Sequence, residues 1–367
     1  MALGVGIVGL PNVGKSTLFN ALTRTQNAQA ANYPFCTIEP NKATVAVPDH
    51  RLQQLADLVH PEKVINATVD FIDIAGLVRG ASKGEGLGNK FLANIREVNA
   101  VLHVVRCFED PDVVHVEGST DPARDMEIVE TELILADMQA MEKRLDRLSR
   151  LARAEKDARA EFEAGQNLMK HLESGKPART FARIPSDPVN IILNELQLLT
   201  DKPVIYCANI GETMLGDQHA AWVTAIQEFA AKTGADVAII SARFESDLVG
   251  MSDAERLEFF NSYGLKESGL DQIIRTAYHT LGLISYLTAG PKEVRAWTIH
   301  RGWTAPKAAS VIHTDFERGF IRAEVIAFDD YIKHGSEAAC KAAGVARLEG
   351  KEYEVKDGDV MHYLFNV

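Results

Sequence analysis

Residues Gly9–Thr17 read G-L-P-N-V-G-K-S-T, and they follow directly from an apolar run at residues 3–10. Gly9 and Gly14 allow a tight loop whose backbone N–H groups can point at phosphate oxygens. A helical stretch begins at Lys15, so the loop has the strand before it and the helix after it that a phosphate-binding loop requires. The stretch therefore predicts a nucleoside triphosphate site on an α/β fold.

Different residues of this loop are predicted to bind different parts of a triphosphate and its metal ion. Lys15 is expected to reach the β and γ phosphates, and the Ser16 hydroxyl to ligate Mg²⁺. The following helix adds its positive N-terminal end to the same anion site. The residues predicted to contact the nucleotide in this loop are Asn12, Val13, Gly14, Lys15, Ser16 and Thr17.

Two later segments complete the predicted phosphate and metal site. Asp73 ends an apolar strand and begins D-x-x-G, so Asp73 should act on Mg²⁺ through water and the Gly76 N–H should meet the γ-phosphate. Thr37, in the loop N-Y-P-F-C-T-I-E-P-N, can ligate Mg²⁺ only when that phosphate is present. The loop around Thr37 is therefore predicted to act as a switch.

The predicted base site departs from that of Ras-like GTPases, in which the strand ends in N-K-x-D. Here the strand ends Asn209-Ile210-Gly211-Glu212, so the stacking Lys is lost and the carboxylate is one methylene longer. Asn209 can hydrogen-bond a purine edge, Ile210 can pack on the ring, and Ser241 fits the last loop under the base. Adenine thus becomes at least as plausible a base as guanine.

The position that orients water is also changed. Many GTPases carry Gln directly after D-x-x-G, whereas this chain has Leu77, which cannot orient water. Catalysis must then come from another side chain, a monovalent cation or a partner. Asn12 is a candidate ligand for K⁺.

The rest of the chain predicts three domains. Apolar strands alternate with helices in residues 1–123 and 196–281, as in a mostly parallel sheet. Between them, residues 124–195 carry a heptad pattern and predict an inserted antiparallel helical hairpin. Residues 282–367 predict a separate α+β domain.

Composition narrows the function classes. The net charge of −12 repels nucleic acid, so any RNA contact requires a local basic patch. Such a patch exists in the hairpin, although a solvated coiled-coil face is the plainer interpretation. Its cations are Lys143, Arg144, Arg147, Arg150, Arg153, Lys156 and Arg159. The scattered cysteines favour free thiols in a reducing compartment. The sequence has no run of about 18 apolar residues, so it predicts no membrane helix.

Taken together, these motifs resemble the YchF/Obg-like ATPase family. The likeness spans essentially the whole chain. It includes residues 9–22, 32–41 and 73–89, the Asn209–Glu212 loop, and the C-terminal stretches K-E-V-R-A-W-T-I (292–299) and H-T-D-F-E-R-G-F-I-R-A (313–323). The resemblance implies an Obg-type P-loop NTPase domain and a C-terminal TGS domain of β-grasp fold.

The same resemblance implies ATP preference over GTP, with Mg²⁺, and binding to the large ribosomal subunit and its rRNA. It also implies that a histidine in a mobile loop assists hydrolysis, here His115, with Lys15 as the other catalytic residue. A cytoplasmic monomer that binds neither membrane nor DNA is expected. Two other functions stay open: an Obg-type GTPase, and a non-catalytic adaptor gated by ATP, which Leu77 favours.

Overall fold

The computed structural model describes residues 3–29, 41–74, 87–215, 220–248, 251–265 and 267–366. The described strands are β1 (Gly4–Val8), β2 (Lys42–Ala46), β3 (Lys63–Ile65), β4 (Thr68–Asp73), β5 (Ala100–Cys107), β6 (Val204–Ile210), β7 (Asp236–Ile240), β8 (Leu283–Ala289), β9 (Glu293–His300), β10 (Phe320–Ala327), β11 (Arg347–Glu349) and β12 (Asp359–Phe365).

The described helices are α1 (Lys15–Gln29), α2 (His50–Val59), α3 (Leu87–Glu97), α4 (Pro122–Leu151), α5 (Lys156–Glu173), α6 (Val189–Leu196), α7 (Ala221–Thr233), α8 (Ala242–Leu248), α9 (Asp253–Ser262), α10 (Gly269–Thr280), α11 (Ala305–Ala309), α12 (Thr314–Arg318), α13 (Phe328–His334) and α14 (Glu337–Ala342). Within the described ranges, none of these helices combines the length and apolar composition that crossing a bilayer would need.

The described residues fold into two compact units. The first draws on the described residues within 3–25, 41–43 and 70–277, and the second on those within 26–29, 44–69 and 278–366. The sequence-based division assigns 44–69 to the nucleotide-binding domain, whereas in the structure this stretch belongs to the second unit because β3 pairs with β9. The boundaries of the three domains otherwise stay a prediction.

One sheet has the order β2-β4-β1-β5-β6-β7 among the described strands, and its strands β1, β5, β6 and β7 belong wholly to the first unit. β4, β1, β5, β6 and β7 run parallel, which confirms the predicted parallel sheet. β5 and β6 are buried along their whole length, as near-continuous apolar runs in a parallel sheet should be. Parallel strands end at the same edge, so the described segments that follow β1, β5, β6 and β7 meet there.

The inserted hairpin is confirmed. Asp121 caps α4 by accepting from the Arg124 N–H, and Pro122 occupies the first turn, where its missing N–H costs nothing. An added Cβ at Gly165 of α5 would meet Leu145 and Met141 of α4, so Gly165 allows the two helices to pack closely. The predicted heptad residues Ile134, Met141 and Leu148 lie in the hairpin core with Leu168.

One of the predicted surface cations belongs to this packing. The Arg144 guanidinium is only 11% exposed and pairs with the carboxylates of Glu161 at 2.6 Å and Glu195 at 2.8 Å. Arg144 therefore joins α4 to α5 and α6, and the prediction that it belongs to an open basic patch is wrong. The other six cations of the group are exposed.

The second unit has a mixed sheet of order β11-β10-β12-β8-β9-β3 among the described strands. β12 and β8 run parallel, as do β3 and β9, whereas the β8–β9, β10–β11 and β10–β12 pairs are antiparallel. Tyr286 is central to its core, packing edge-on against Tyr363 and stacking with Trp297. The predicted C-terminal α+β domain is confirmed.

Replacing Leu168 with Ala should lower the free energy of unfolding by about 2–5 kcal/mol, because its fully buried side chain would leave a cavity in the hairpin core. Leu151→Ala is the matched control, since Leu151 is 46% exposed at the hairpin tip. Urea unfolding followed by circular dichroism measures both. Equal losses in the two variants would contradict the assigned core.

Candidate functional site

A cavity of about 640 Å³ opens where the strands of the parallel sheet end. It is bounded by the loop after β1, the first turn of α1, and the segments after β5, β6 and β7. The residues that line it include Asn12, Gly14, Lys15, Ser16, Thr17, Phe108, Asp110, Val113, Asn209, Ile210, Glu212, Ser241 and Arg243. Tertiary structure thus brings together residues from separate segments that the sequence predicts to contact the nucleotide. Val13 is the exception among those that are described, because it is buried and does not line the cavity.

The loop after β1 has the backbone conformation expected of a phosphate cradle. Gly14 has φ +97° and Asn12 has φ +61°, both in the left-handed region. A Cβ on Gly14 would lie 2.1 Å from the Asn209 amide nitrogen. Glycine is therefore required at position 14 by its own backbone and by the approach of its neighbour.

Lys15 is a buried cation at the floor of this loop. Its Nζ donates to the Leu10 carbonyl at 2.6 Å. Burial lowers the pKa of Lys15 to about 8, and the nearby Asp73 carboxylate offsets part of that effect. A desolvated cation with one neutral acceptor is poised to gain free energy from an anion such as a terminal phosphate.

The described part of the predicted metal site consists of Asp73 and Ser16. Asp73 pairs in register with Ile7 at the ends of β4 and β1, and burial raises the pKa of its carboxyl. Ser16 is exposed in the first turn of α1, so its hydroxyl is accessible. The predicted ligand Thr37 and the γ-phosphate contact Gly76 lie outside the described residues, as does Leu77.

The two described groups fit Mg²⁺ better than a metal held by protein alone. Across the ranges that the structure describes, His, Cys, Asp and Glu side chains nowhere converge in groups of three that could hold a metal. One hydroxyl and one carboxylate are the sparse protein ligands typical of Mg²⁺ that is bound mainly by phosphates and water.

Asn209 joins two of the loops around the cavity. Its amide N–H donates to the Val13 carbonyl at 2.8 Å, and its Oδ1 accepts from the Ala242 N–H at 3.0 Å. The side chain is buried, and these two backbone groups occupy two of its hydrogen-bonding positions. Its predicted contact with a purine edge stays a prediction, and the second N–H of the amide and the second lone pair of its oxygen are left for it.

The segments beyond Asn209 form the far end of the cavity. Ile210 is buried at the end of β6, and the carboxylate of Glu212 is partly exposed. The Arg243 Nε lies 3.5 Å from Glu212. Ser241 is buried at the end of β7, and its hydroxyl accepts a long bond from the Phe244 N–H at 3.5 Å. This end of the cavity thus offers an apolar wall and a carboxylate acceptor.

Sequence reasoning missed Arg106. Its buried guanidinium donates to the carbonyls of Phe108 at 3.1 Å, Val113 at 2.9 Å and Asp110 at 3.4 Å, and stacks on the Phe108 ring at 4.5 Å. It thereby shapes the 108–113 segment that walls the cavity. The signal in the sequence was a cation at the end of an otherwise apolar strand, because a charge buried there must be satisfied by hydrogen bonds.

His115 lies just beyond this segment but is turned away from the cavity. The described residues that line the cavity do not include it. Its ring is buried, with Nε2 2.8 Å from the Asp125 carboxylate and Nδ1 accepting from the Glu117 N–H at 3.0 Å. In this arrangement neither ring nitrogen is free to contact a substrate.

Comparison with known proteins agrees with the fold and the site. Residues 4–149 match the family described as 50S ribosome-binding GTPase, and residues 283–366 match the C-terminal domain of YchF GTPases, which is described as a protein of unknown function. The chain is 52% identical to the ribosome-binding ATPase YchF of Bacillus subtilis and 50% identical to that of Escherichia coli O157:H7, with full coverage of both chains.

A solved structure extends this likeness to three dimensions. The YchF GTPase of Schizosaccharomyces pombe is 39% identical, superimposes with a TM-score of 0.89, and is matched over 99% of this chain and 97% of that one. At this identity and coverage the likeness extends beyond the fold.

Gly14→Ala should weaken binding of a fluorescent nucleoside triphosphate roughly tenfold or more, about 1.4 kcal/mol, because the new methyl group would collide with the Asn209 amide. Gly175→Ala is the matched control, since Gly175 has φ +76° but nothing within 4 Å of an added Cβ. Fluorescence titration in Mg²⁺ buffer measures both variants. Wild-type affinity in Gly14→Ala would contradict this geometry.

Proposed function

Because the chain belongs to the YchF family of P-loop NTPases, we propose that it binds ATP with Mg²⁺, hydrolyses it slowly, and binds the ribosome in a manner set by its nucleotide state. The curated relatives that carry the name ribosome-binding ATPase match the chain from end to end. The likeness therefore covers the nucleotide-binding part, the hairpin and the C-terminal domain.

The phosphate end of the cavity carries the proposal. Lys15 is buried with a depressed pKa, beside a loop whose glycine cannot be replaced without a collision. In the proposed complex the triphosphate pairs with Lys15 and receives backbone N–H groups of residues 12–17. Mg²⁺ is bound by Ser16, by Asp73 through water, and by Thr37 while the γ-phosphate is present; the Gly76 N–H contacts that phosphate.

The base end supports ATP. Ile210 supplies an apolar contact for the ring, and the carboxylate of Glu212 can accept from an adenine amino group. A site specific for guanine would need a carboxylate held against both guanine N–H groups. The side chain of Glu212 is one methylene longer than the Asp of that motif, and its carboxylate lies 3.5 Å from the Arg243 guanidinium. The rival Obg-type GTPase requires Glu212 to adopt that guanine geometry, and the solved relative is titled a GTPase.

The hydrolysis step needs a group other than Leu77. His115 is the proposed catalytic side chain, with Lys15 neutralising charge on the phosphates. K⁺ is a further candidate, because the Asn12 amide donates to the Val114 carbonyl at 3.1 Å and its oxygen could ligate a cation. The burial of His115 in the structure is the specific observation that favours the non-catalytic adaptor as the second candidate.

The ribosome contact is proposed for the hairpin tip. Its exposed cations are Lys143, Arg147, Arg150, Arg153, Lys156 and Arg159. Among the described residues these six have no carboxylate within ion-pair distance, so their charge is available to phosphates. We propose rRNA of the large subunit as the partner of this tip, and a monomeric protein acting in the cytoplasm.

ATP should displace a fluorescent ATP analogue at roughly tenfold lower concentration than GTP does, a difference of about 1.4 kcal/mol. The reason is the loss of the guanine-reading geometry at Glu212. Lys15→Ala serves as the control and should bind neither nucleotide measurably. Tenfold tighter binding of GTP would overturn the base assignment in favour of the Obg-type enzyme.

Reversing Arg147, Arg150 and Arg153 to Glu should lower the fraction of protein that pellets with ribosomes and flatten its dependence on salt, because fewer phosphate contacts release fewer counterions. A matched control reverses three exposed lysines elsewhere, Lys232, Lys333 and Lys351. Co-sedimentation at two salt concentrations measures both. Equal pelleting of the two triple variants would remove the hairpin tip as the contact.

A further inference from the structure

His115 is held in one tautomer by its two hydrogen bonds. Because Nδ1 accepts from the Glu117 backbone N–H at 3.0 Å, Nδ1 carries no proton. The proton is therefore on Nε2, which donates to the Asp125 Oδ2 at 2.8 Å. A ring in this state has its donor and its acceptor both occupied, and it has no free position for water or phosphate.

The residues on either side of His115 point the opposite way. Val114 is 75% exposed and Val116 is 49% exposed, whereas His115 between them is 7% exposed. Two apolar side chains thus lie in solvent while an ionisable ring is buried. Apolar side chains are usually buried and ionisable ones exposed, so this pattern is inverted. A loop with a second arrangement, in which the His115 ring is exposed and the two valines are covered, would show such an inversion.

The loop is clamped at one end and reaches a glycine at the other. Arg106 holds the Val113 carbonyl at 2.9 Å, and Gly118 lies at φ +79° with nothing within 4 Å of an added Cβ. Residues 114–117 therefore lie between that clamp and a glycine whose N–H donates to the His115 carbonyl at 3.1 Å. The Asn12 amide also donates to the Val114 carbonyl, so this span contacts the phosphate-binding loop directly.

The other partner of the contact, Asp125, belongs to a helix and has a second partner of its own. Asp125 lies in the first turn of α4, where its own N–H donates to the Asp121 carbonyl, and its carboxylate is buried. Arg124 also donates to that carboxylate, from Nη2 at 3.1 Å and Nε at 3.3 Å. Departure of the histidine would leave Asp125 still paired with Arg124, which avoids the large penalty for a buried charge without a partner.

We propose that Asp125 is a latch that keeps His115 out of the nucleotide cavity, and that hydrolysis requires the 114–117 segment to release it. This inference rests on the proposed role of His115 in ATP hydrolysis. Asp125 acts through His115, so it is a positioning residue, and it lowers the basal rate by favouring the closed arrangement. The resting enzyme then hydrolyses ATP at a rate set by the small population of the released state.

Asp125→Asn and Asp125→Ala test the latch. Both should raise the steady-state rate of ATP hydrolysis, by about tenfold where the closed arrangement holds roughly nine-tenths of the molecules. The double variant His115→Ala/Asp125→Asn should show no such rise over His115→Ala. Glu127→Gln is the matched control, because it removes one carboxylate from an exposed position on the same helix and should keep the wild-type rate.

A second readout does not depend on activity. Diethyl pyrocarbonate labels accessible imidazoles, and peptide mass spectrometry locates the label. His115 labelling should be low in the wild type and high in both Asp125 variants. His313, whose side chain is 61% exposed, and buried His103 give the internal upper and lower limits. Thermal melting verifies that the variants are folded, and Asp125→Asn is the conservative choice if the alanine variant is not.

The outcomes separate the latch from the proposed function. Unchanged His115 labelling in folded Asp125→Asn, or a fall in its hydrolysis rate to that of His115→Ala, would overturn the latch; the second result would mean that Asp125 orients a productive histidine. Wild-type hydrolysis by His115→Ala would instead refute the catalytic role of His115, while the labelling result would still decide whether Asp125 holds it.

Discussion

The nucleotide cavity depends on the two hydrogen bonds of the Asn209 side chain. One joins the end of β6 to the Val13 carbonyl of the phosphate-binding loop, and the other joins it to the Ala242 N–H after β7. A buried amide that satisfies two backbone groups is costly to disturb, because each group would be left without a partner in a medium that lacks water. Through this residue the phosphate end and the base end of the cavity hold a fixed relation.

Backbone groups are the common partner throughout this site. Arg106 binds three carbonyls, Lys15 binds the Leu10 carbonyl, and His115 accepts from the Glu117 N–H. Polar side chains at the ends of the strands therefore fix the loops around the cavity. Among the described residues the hydrogen-bond acceptor of Lys15 is a neutral carbonyl, and burial lowers the pKa of Lys15 to about 8 while the Asp73 carboxylate offsets part of that effect.

The hairpin connects this site to a distant surface through one continuous helix. At 30 residues, α4 is about 45 Å long. Its first turn holds Asp125 against His115, and its far end carries the exposed cations Arg147 and Arg150. The contact with His115 and the exposed cations of the hairpin tip therefore lie at opposite ends of one helix.

How much the sequence could predict follows from where the partners of each residue lie along the chain. Local patterns were sufficient for the phosphate-binding loop, the buried strands and the heptad face of α4, because spacing over a few residues decides which side chains share a face. The sequence also indicated that Asn209 and Lys15 belong to one site. It could not indicate that Asn209 bonds to Val13, which is 196 residues away.

Only tertiary structure decided the roles that depend on such distant partners. Arg144 looks like an exposed cation in the sequence, yet α5 and α6 bring Glu161 and Glu195 to it. Residues 44–69 join the C-terminal unit because β3 pairs with β9. The sequence predicts only that His115 lies in a loop, whereas its burial follows from packing against the first turn of α4. The residue types were determined by the sequence, but charge pairing and burial are properties of the neighbours that folding supplies.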